Sequence, residues 1–549
     1  MTNKIENPQK GEFKNAVTAM LLTMVILFAF NHFFGTKPVE SLVAQNQVEQ
    51  VQVVEEKVNV TPVVIEENQP KAEPVTFQNE FVKMVFDPAL GGLNETALLK
   101  YRETLDENSP FVSVLDKDYF TSSVWFSKDV EMPSLNAFWQ KDEVASTKDK
   151  QVFLYQNDSV QVKREVSLDE KYMLTLTDTV TNLKTAPIKV YQQASISRKI
   201  KEQPQVSTVH QGFVGYLDNE LVEEKYDTDK NIFSGRTTSG WLGFTDKYWQ
   251  SLMVLDGQDN VGTSFTFNDG VYKAEFETDN ILIQPQASVS KTMRLFVGAK
   301  DIDVINAYQK DLNITHFDLS IDFGWFRFLT QPFLHFLNYL YGLIGNMGVA
   351  ILIFATFIRL LLLPIATKSY ESMAKMRKVQ PKMKALQNRF KQDPRRLQIE
   401  MANLYRREKI NPASGCLPLF LQIPVFFALY KVLSISINMR QAPFFGWIQD
   451  LSMPDTLTIF NGFGYFDWQL PSILTIGVWP ILMGITMYIQ QKLSPAPTDK
   501  TQAKVMQFLP VVFTLMMASF ASGLIIYWTW SNILSIFQQK YIMKKVGVE

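Results

Sequence analysis

Arg359 is the residue whose surroundings most need a chemical explanation. It follows Phe328–Ile358, a run with no Asp, Glu, Lys or Arg. An arginine inside a bilayer-spanning helix costs about 2.5–3.5 kcal/mol even on the lenient insertion scale. Taken alone, the residue fits two readings. Its side chain could snorkel to a nearby aqueous face, since Pro364 and Lys368 follow closely, or it could line a wet polar cavity. The other uncharged runs favour the cavity. Gln422 lies in one of them, and Thr529, Ser531, Asn532 and Ser535 lie in another. None of these runs holds a carboxylate to neutralise the guanidinium. For each hydroxyl, ordinary helix–helix hydrogen bonding is the alternative. The missing carboxylates also argue against a proton- or cation-coupled transporter, and no convincing inverted repeat accompanies the breaks at Pro418, Pro424 and Ser522-Gly523.

These residues need helices to hold them. Mean hydropathy is −0.04 and net charge is −1, values that hide a sharp partition. Five stretches carry no Asp, Glu, Lys or Arg: Ala16–Phe34, Phe328–Ile358, Ile410–Tyr430, Trp468–Gln491 and Val505–Gln539. A bilayer core of about 30 Å takes about 20 apolar residues per helical crossing, so each stretch is a candidate span. Ala16–Phe34 reads as an uncleaved anchor. It is longer than a signal-peptide core, and Asn31-His32-Phe33-Phe34 is a poor cleavage site. Cys416 is the sole cysteine, so an intramolecular disulfide and a Cys-based zinc site are excluded. No cofactor or metal is expected, and no Gly-rich phosphate loop is present.

Between the anchor and the remaining spans the composition changes twice. Residues 37–73 are rich in Gln, Val, Glu and Pro, without Gly or aromatics, as in a flexible acidic tether. Residues 74–323 show short alternating runs, such as Tyr172–Thr177, Ser251–Leu255 and Ser264–Phe267. Turn residues, Asp256-Gly257 and Asn268-Asp269-Gly270, separate them. This spacing predicts an all-β sandwich, closed by a helix over Asp301–Asn313. Between Lys368 and Lys409 there are thirteen Lys or Arg against four Asp or Glu. Short basic segments stay cytoplasmic while large domains cross regardless of charge, so the sandwich is expected in the periplasm. Val505–Gln539 is too long for one crossing and breaks at Ala521-Ser522-Gly523. Two crossings keep Lys492–Lys504 and the tail with Lys540, Lys544 and Lys545 on the cytoplasmic side.

The expected fold is a polytopic α-helical membrane protein with six transmembrane helices plus a periplasmic all-β sandwich, both termini being cytoplasmic. Its parts are the N-terminus and first anchor (1–36), the tether (37–73), the sandwich (74–323), an interfacial helix with the second span (324–367), a basic cytoplasmic hairpin (368–410), spans three to six (411–541) and a basic tail (542–549). Arg440–Asp467 carries Trp447, Phe460, Phe463 and Tyr465, suited to an interfacial aromatic belt.

In the basic hairpin, Met376, Val379, Met383, Leu386 and Phe390 form an apolar seam. Asp393-Pro394 caps a second helix, along which Leu397, Met401 and Leu404 continue the seam. Pro381 is expected to kink the first helix. The charges have a bland account in topology and a solvated face. A contact role with ribosomal RNA, acidic lipid or apolar clients would fall to Lys375, Arg377, Lys378, Lys382, Lys384, Arg395 and Arg396, without reading a specific nucleic-acid sequence.

From Asn411 the chain resembles a known family. Asn411-Pro412-Ala413-Ser414-Gly415-Cys416-Leu417-Pro418, followed by Gln422, Pro424 and Leu429-Tyr430, is similar to the third-helix signature of YidC-type insertases (the YidC/Oxa/Alb family). The likeness extends to Arg359 with Pro364, Ser372–Arg377 with Gln380-Pro381, and Arg440–Phe444. It continues through Gln491–Pro495, Pro510, Ser522-Gly523-Leu524, Tyr527-Trp528 and Ser531-Asn532. The anchor, tether and sandwich, with Gly240-Trp241-Leu242-Gly243, resemble the Gram-negative form with a large periplasmic domain.

The resemblance implies a five-helix insertase core around a hydrophilic groove that opens to the cytoplasm and lipid. Arg359, Gln422, Ser531, Asn532 and Ser535 would line the groove. Ile423, Phe426 and Trp528 would form a lipid-facing slide, with Trp528 where relatives often carry Tyr. The implied function is membrane protein insertion and chaperoning in the bacterial inner membrane, with nascent membrane proteins, the Sec translocon, the ribosome and the lipid bilayer as partners. No enzymatic activity is expected. The sandwich also resembles sugar-converting mutarotase-like domains, but His210 and His316 lie far apart in the sequence and outside any clear motif.

Overall fold

The computed structural model describes residues 73–548, except 201–208, 227–230, 256, 258–259, 411–416, 459–461, 463–475 and 496–499. The Ala16–Phe34 anchor, almost all of the tether, and Asn411–Cys416 of the family signature lie outside the described residues.

Period-2 alternation produces the sandwich. Along Val160–Leu168 every second residue is buried, because successive side chains of a strand point to opposite faces. A nine-stranded antiparallel sheet runs from Glu220–Lys225 through Gly212–Leu217, Gly240–Thr245, Trp249–Leu255, Ser288–Ala299, Met173–Asn182, Val160–Leu168 and Lys150–Gln156 to Gln140–Lys141. A second sheet is built on Ile188–Lys199, which pairs with Val271–Thr278, Ile281–Ile283 and Tyr119–Ser127. A third, of four strands, covers Val75–Leu115. Phe213, Phe244 and Phe265 fill the core, with Phe213 and Phe265 stacked 4.7 Å apart.

The alternation that buries valines also turns Arg164 inward. Nε and Nη2 donate to the two carboxylate oxygens of Asp178 at 2.8 and 2.7 Å, and Nη1 and Nη2 reach the carbonyls of Pro88 and Ser123. The Trp139 ring lies 4.6 Å from the guanidinium carbon. A buried charge so fully hydrogen-bonded avoids most of its desolvation cost.

Helix α1 (Ile302–Asp311), capped by the Asp301 side chain, closes the sandwich. Beyond it the uncharged run from Phe328 is divided. α2 (Arg327–Ile344) ends at Gly345, whose φ of +74° suits glycine. Helix α3 (Met347–Leu361) starts from the Asn346 cap on the Val349 amide. Helix α4 (Leu363–Arg389) departs from α3 at 68°. The bend falls where Pro364 stands in the first turn of α4, with no amide to donate and a ring that clashes with the preceding turn. The expected kink site, Pro381, lies within helix.

Helix α5 (Pro394–Arg407) is capped by Asp393 on the Arg396 amide. α6 (Leu417–Ile435), α7 (Val478–Leu493) and α8 (Lys500–Met517) follow, and after a turn before Ser522 comes α9 (Ser522–Val546). Gly484 lets α7 meet α8 closely, because an added Cβ would lie 2.1 Å from the Thr514 hydroxyl. Among the described residues no single helix is long and apolar enough to cross a membrane, although the bent pair α3–α4 passes together.

Among the described residues, polar contacts join the two regions. Lys431 on α6 pairs with Asp322 at 2.6 Å. Arg440 and Gln441 donate to the Arg102 carbonyl at 2.6 and 3.1 Å, with the Arg440 guanidinium 5.4 Å from the Trp249 ring.

Candidate functional site

Arg359 stands one turn before the bend, half-buried, and its partners come from helices on either side. One Nη donates to the Tyr370 hydroxyl of α4 at 2.7 Å and also to the Ser535 hydroxyl of α9. Its Nε is buried and has no hydrogen-bond partner among the described residues. No carboxylate pairs with it there, and α3 and α9 contain none. The guanidinium thus meets hydroxyl dipoles instead of an opposite charge, and it retains donor capacity.

Helix α9 supplies the other side of the site. Ser531 and Ser535 follow one another at helical spacing, and both are buried. Ser535 donates to the Ser531 carbonyl at 2.7 Å while accepting from Arg359. Gln538 donates to Thr367 of α4 at 3.3 Å, and the side-chain oxygens of Gln538 and Gln539 are buried without partners among the described residues. Buried polar atoms left without partners, here the Arg359 Nε and these two oxygens, are places suited to water or a polar guest.

The remaining groove candidates bond elsewhere. Gln422 on α6 donates to the Tyr527 hydroxyl at 2.9 Å. Asn532 donates to Thr486 of α7 at 3.2 Å. Trp530, outside the candidate set, donates to Thr356 of α3 at 2.9 Å. Of the five groove candidates, the structure therefore gathers Arg359, Ser535 and Ser531, and uses Gln422 and Asn532 to fasten α9 to its neighbours. Tyr370, Tyr527 and Thr486 are the partners that sequence reasoning missed. Tyr370 lies eleven residues beyond Arg359, and only the bend at Leu362 brings the two together.

The slide candidates form an aromatic ridge. Phe426 of α6 meets Trp528 of α9 edge-on at 4.8 Å, and Phe513 of α8 meets the same indole at 5.8 Å. Ile423, one turn before Phe426, is exposed.

In the hairpin, Val379 and Met383 are buried with Ile410, and Met376, Met401 and Leu404 pack on them. Lys375, Lys378, Lys382, Lys384, Arg395 and Arg396 are exposed, Lys382 pairing with Glu408 at 2.6 Å. Arg377 is half-buried and turns inward, donating to the Leu493 carbonyl at the end of α7 at 3.4 Å and approaching the Met543 sulfur of α9.

Comparison with known proteins locates this architecture. The family model for the 60Kd inner membrane protein matches residues 339–548, and that for the YidC periplasmic domain matches residues 74–336. Together they define an inner-membrane protein carrying a periplasmic β-sandwich domain. The membrane protein insertase YidC of Rickettsia rickettsii is 38% identical over 554 residues, covering 96% of this chain and 99% of the relative. That of Methylobacterium radiotolerans is 42% identical over 484 residues, covering 84% and 78%. The chain belongs to the YidC family of membrane protein insertases.

Among solved structures, an active YidC insertase crystal structure with the first transmembrane domain resolved covers 85% of this chain and 92% of its own, at 18% identity and a TM-score of 0.37. YidC from Thermotoga maritima covers 85% and 97%, at 15% identity and a TM-score of 0.28. A putative aldose 1-epimerase from Escherichia coli K12 covers 41% and 99%, at 11% identity and a TM-score of 0.29. In this chain His210 donates its backbone amide to Asp322 and places its ring nitrogen 2.8 Å from the Phe213 carbonyl, whereas His316 packs on Tyr216. The two histidines are engaged separately.

Proposed function

We propose that this chain inserts newly made proteins into the bacterial inner membrane and assists their folding there, through a polar groove centred on Arg359. The observation that carries the reading is that, among the described residues, Arg359 pairs with hydroxyls and with no carboxylate, in a family member whose neighbouring helix presents Ser531 and Ser535. A client's polar tail cannot cross about 30 Å of hydrocarbon without large desolvation. Water, hydroxyls and one positive charge partway lower that barrier. The client's apolar segment then passes along Trp528, Phe426 and Ile423 into lipid, and its burial provides the driving force. No bond is made or broken, so the role is physical and not enzymatic, and no nucleotide or cofactor takes part.

In this arrangement the chain crosses the membrane six times, five of the helices forming the core, with both termini cytoplasmic and the sandwich periplasmic. Shallow helices fit it. The fifteen residues of α3 rise about 22 Å at 1.5 Å per residue, which favours local thinning of the bilayer. The exposed lysines and arginines of the hairpin, together with the basic tail, would meet the ribosome or acidic lipid. The sandwich would dock partners such as the Sec translocon. The test is reconstitution of the purified chain alone into liposomes with a short single-span client. Insertion without nucleotide or translocon is expected, and client left protease-accessible outside the vesicles would overturn the reading.

A further inference from the structure

Tyr370 belongs to the basic hairpin by its helix and to the Arg359 site by its hydroxyl. Eleven residues of straight helix would separate it from Arg359 by about 16 Å, but the 68° bend at Leu362 folds α4 back so that the two side chains are 2.7 Å apart. The Tyr370 ring is buried with Ala366 against Ile542 of α9. Two turns further along α4, Arg377 reaches the end of α7 and Met543 of α9. Beyond these points Lys378, Lys382 and Lys384 of α4 are exposed. Ala366, Tyr370 and Arg377 therefore seat the hairpin on the helical bundle, and one of the three also holds the arginine.

A hydroxyl donates one proton and accepts through its lone pairs. With Tyr370 and Ser535 both accepting from the same Nη, the guanidinium is fixed on that side. Its buried Nε remains for a guest.

We propose that Tyr370 is a positioning residue: its hydroxyl sets the orientation of the Arg359 guanidinium, so that the seating of the cytoplasmic hairpin governs how the site receives an anionic group on a client. This rests on the reading of Arg359 as the charge of the groove. A client carrying Asp or Glu in its translocated tail would sense the orientation most, and a client with a neutral tail least. Loosening the hairpin would act on the same quantity without touching Arg359.

The experiment measures insertion of paired clients, identical except for an acidic or neutral tail, by the full-length chain in inverted membrane vesicles. Tyr370→Phe keeps the ring and removes the hydroxyl. Its acidic-to-neutral insertion ratio should fall about tenfold, the low end for a hydrogen bond to a charged group. Arg377→Ala should lower the ratio in the same direction by less, and adding it to Tyr370→Phe should lower it no further, because both act through one contact. An unchanged ratio in Tyr370→Phe, with a lowered ratio in Arg359→Gln, would overturn the positioning role and leave the groove reading intact. An unchanged ratio in Arg359→Gln would overturn both. Fully additive effects of Tyr370→Phe and Arg377→Ala would sever the link to the hairpin. Tyr370→Ala, which also empties the packing against Ile542, should lose folded protein as well as selectivity, so protein levels separate the structural loss from the functional one.

Discussion

Two arginines, Arg164 buried and Arg359 half-buried, show how differently the two regions of this molecule treat a charge. Arg164, inside the sandwich, has a carboxylate in bidentate contact, two backbone carbonyls and an indole face. Arg359, among the helices, has two hydroxyls and an Nε without a partner among the described residues. The first is what a stable fold requires of an arginine placed inward by strand alternation. The second is an arginine left incomplete, at some cost to stability, which under the proposed function a client's polar group would complete. In the proposed reading, satisfaction of the donors, more than burial, separates the structural cation from the one offered to a client.

The sharpest way to break this comparison is to remove one partner from each site. Asp178→Ala leaves Arg164 buried and unpaired and should destabilise the sandwich by about 3–5 kcal/mol. Thermal unfolding and limited proteolysis of the full-length chain in detergent would show a lower midpoint and cleavage within residues 74–323. Arg359→Met should act oppositely, raising stability by about 1–2 kcal/mol because an under-partnered cation is gone. Equal destabilisation by the two substitutions would erase the distinction.

Lys300 sharpens the comparison from within the sandwich. It is fully buried, and burial pushes its ammonium down to about 8, with the charges of Asp246 and Asp322 opposing the shift. The unfolded chain, with an ordinary lysine, therefore holds more protons than the folded one between about pH 8 and pH 10. Stability contributed at this position is lowest below about pH 8 and rises as pH rises through that window. Unfolding midpoints measured from pH 7 to pH 10 should show the rise, and Lys300→Met should flatten it while raising the midpoint at pH 7.

The smallest effect belongs to the surface. Lys382 and Glu408 form an ion pair with Lys382 63% exposed, and Lys382→Ala should cost well under about 1 kcal/mol of stability. A larger loss in the same unfolding assay would mean that the hairpin depends on its charges as well as its apolar seam.

Much of this organisation was legible in the sequence because it rests on short-range rules. The alternation in Tyr172–Thr177 and the turn at Asn268-Asp269-Gly270 lie where strands Met173–Asn182 and Val261–Asn268 run and end. Asp301 and Asp393 cap the helices expected to follow them. The seam of Met376, Val379 and Met383 is the packed face of the hairpin. What stayed hidden depends on how helices meet. The residue types in α9 did not say that Ser535 faces Arg359 while Asn532 faces Thr486. Arg377 looked like one more exposed cation of a basic segment, yet it caps the end of α7. Tyr370 carried no signal at all until the bend at Pro364 placed it, since a tyrosine in an amphipathic helix is ordinarily core.

The most direct test of the central claim, that clients pass along α9 beside Arg359, is site-specific photocrosslinking. A photoreactive residue would replace Trp528, and separately Ser531, in the full-length chain, with ribosomes stalled while making a short single-span client. Crosslinks from both positions to the client's apolar segment, absent from a control on the exposed face of the sandwich, are the predicted result. A client that inserts through this protein without crosslinking at either position would contradict the account, and would return Arg359 to the role of a snorkelling topology residue.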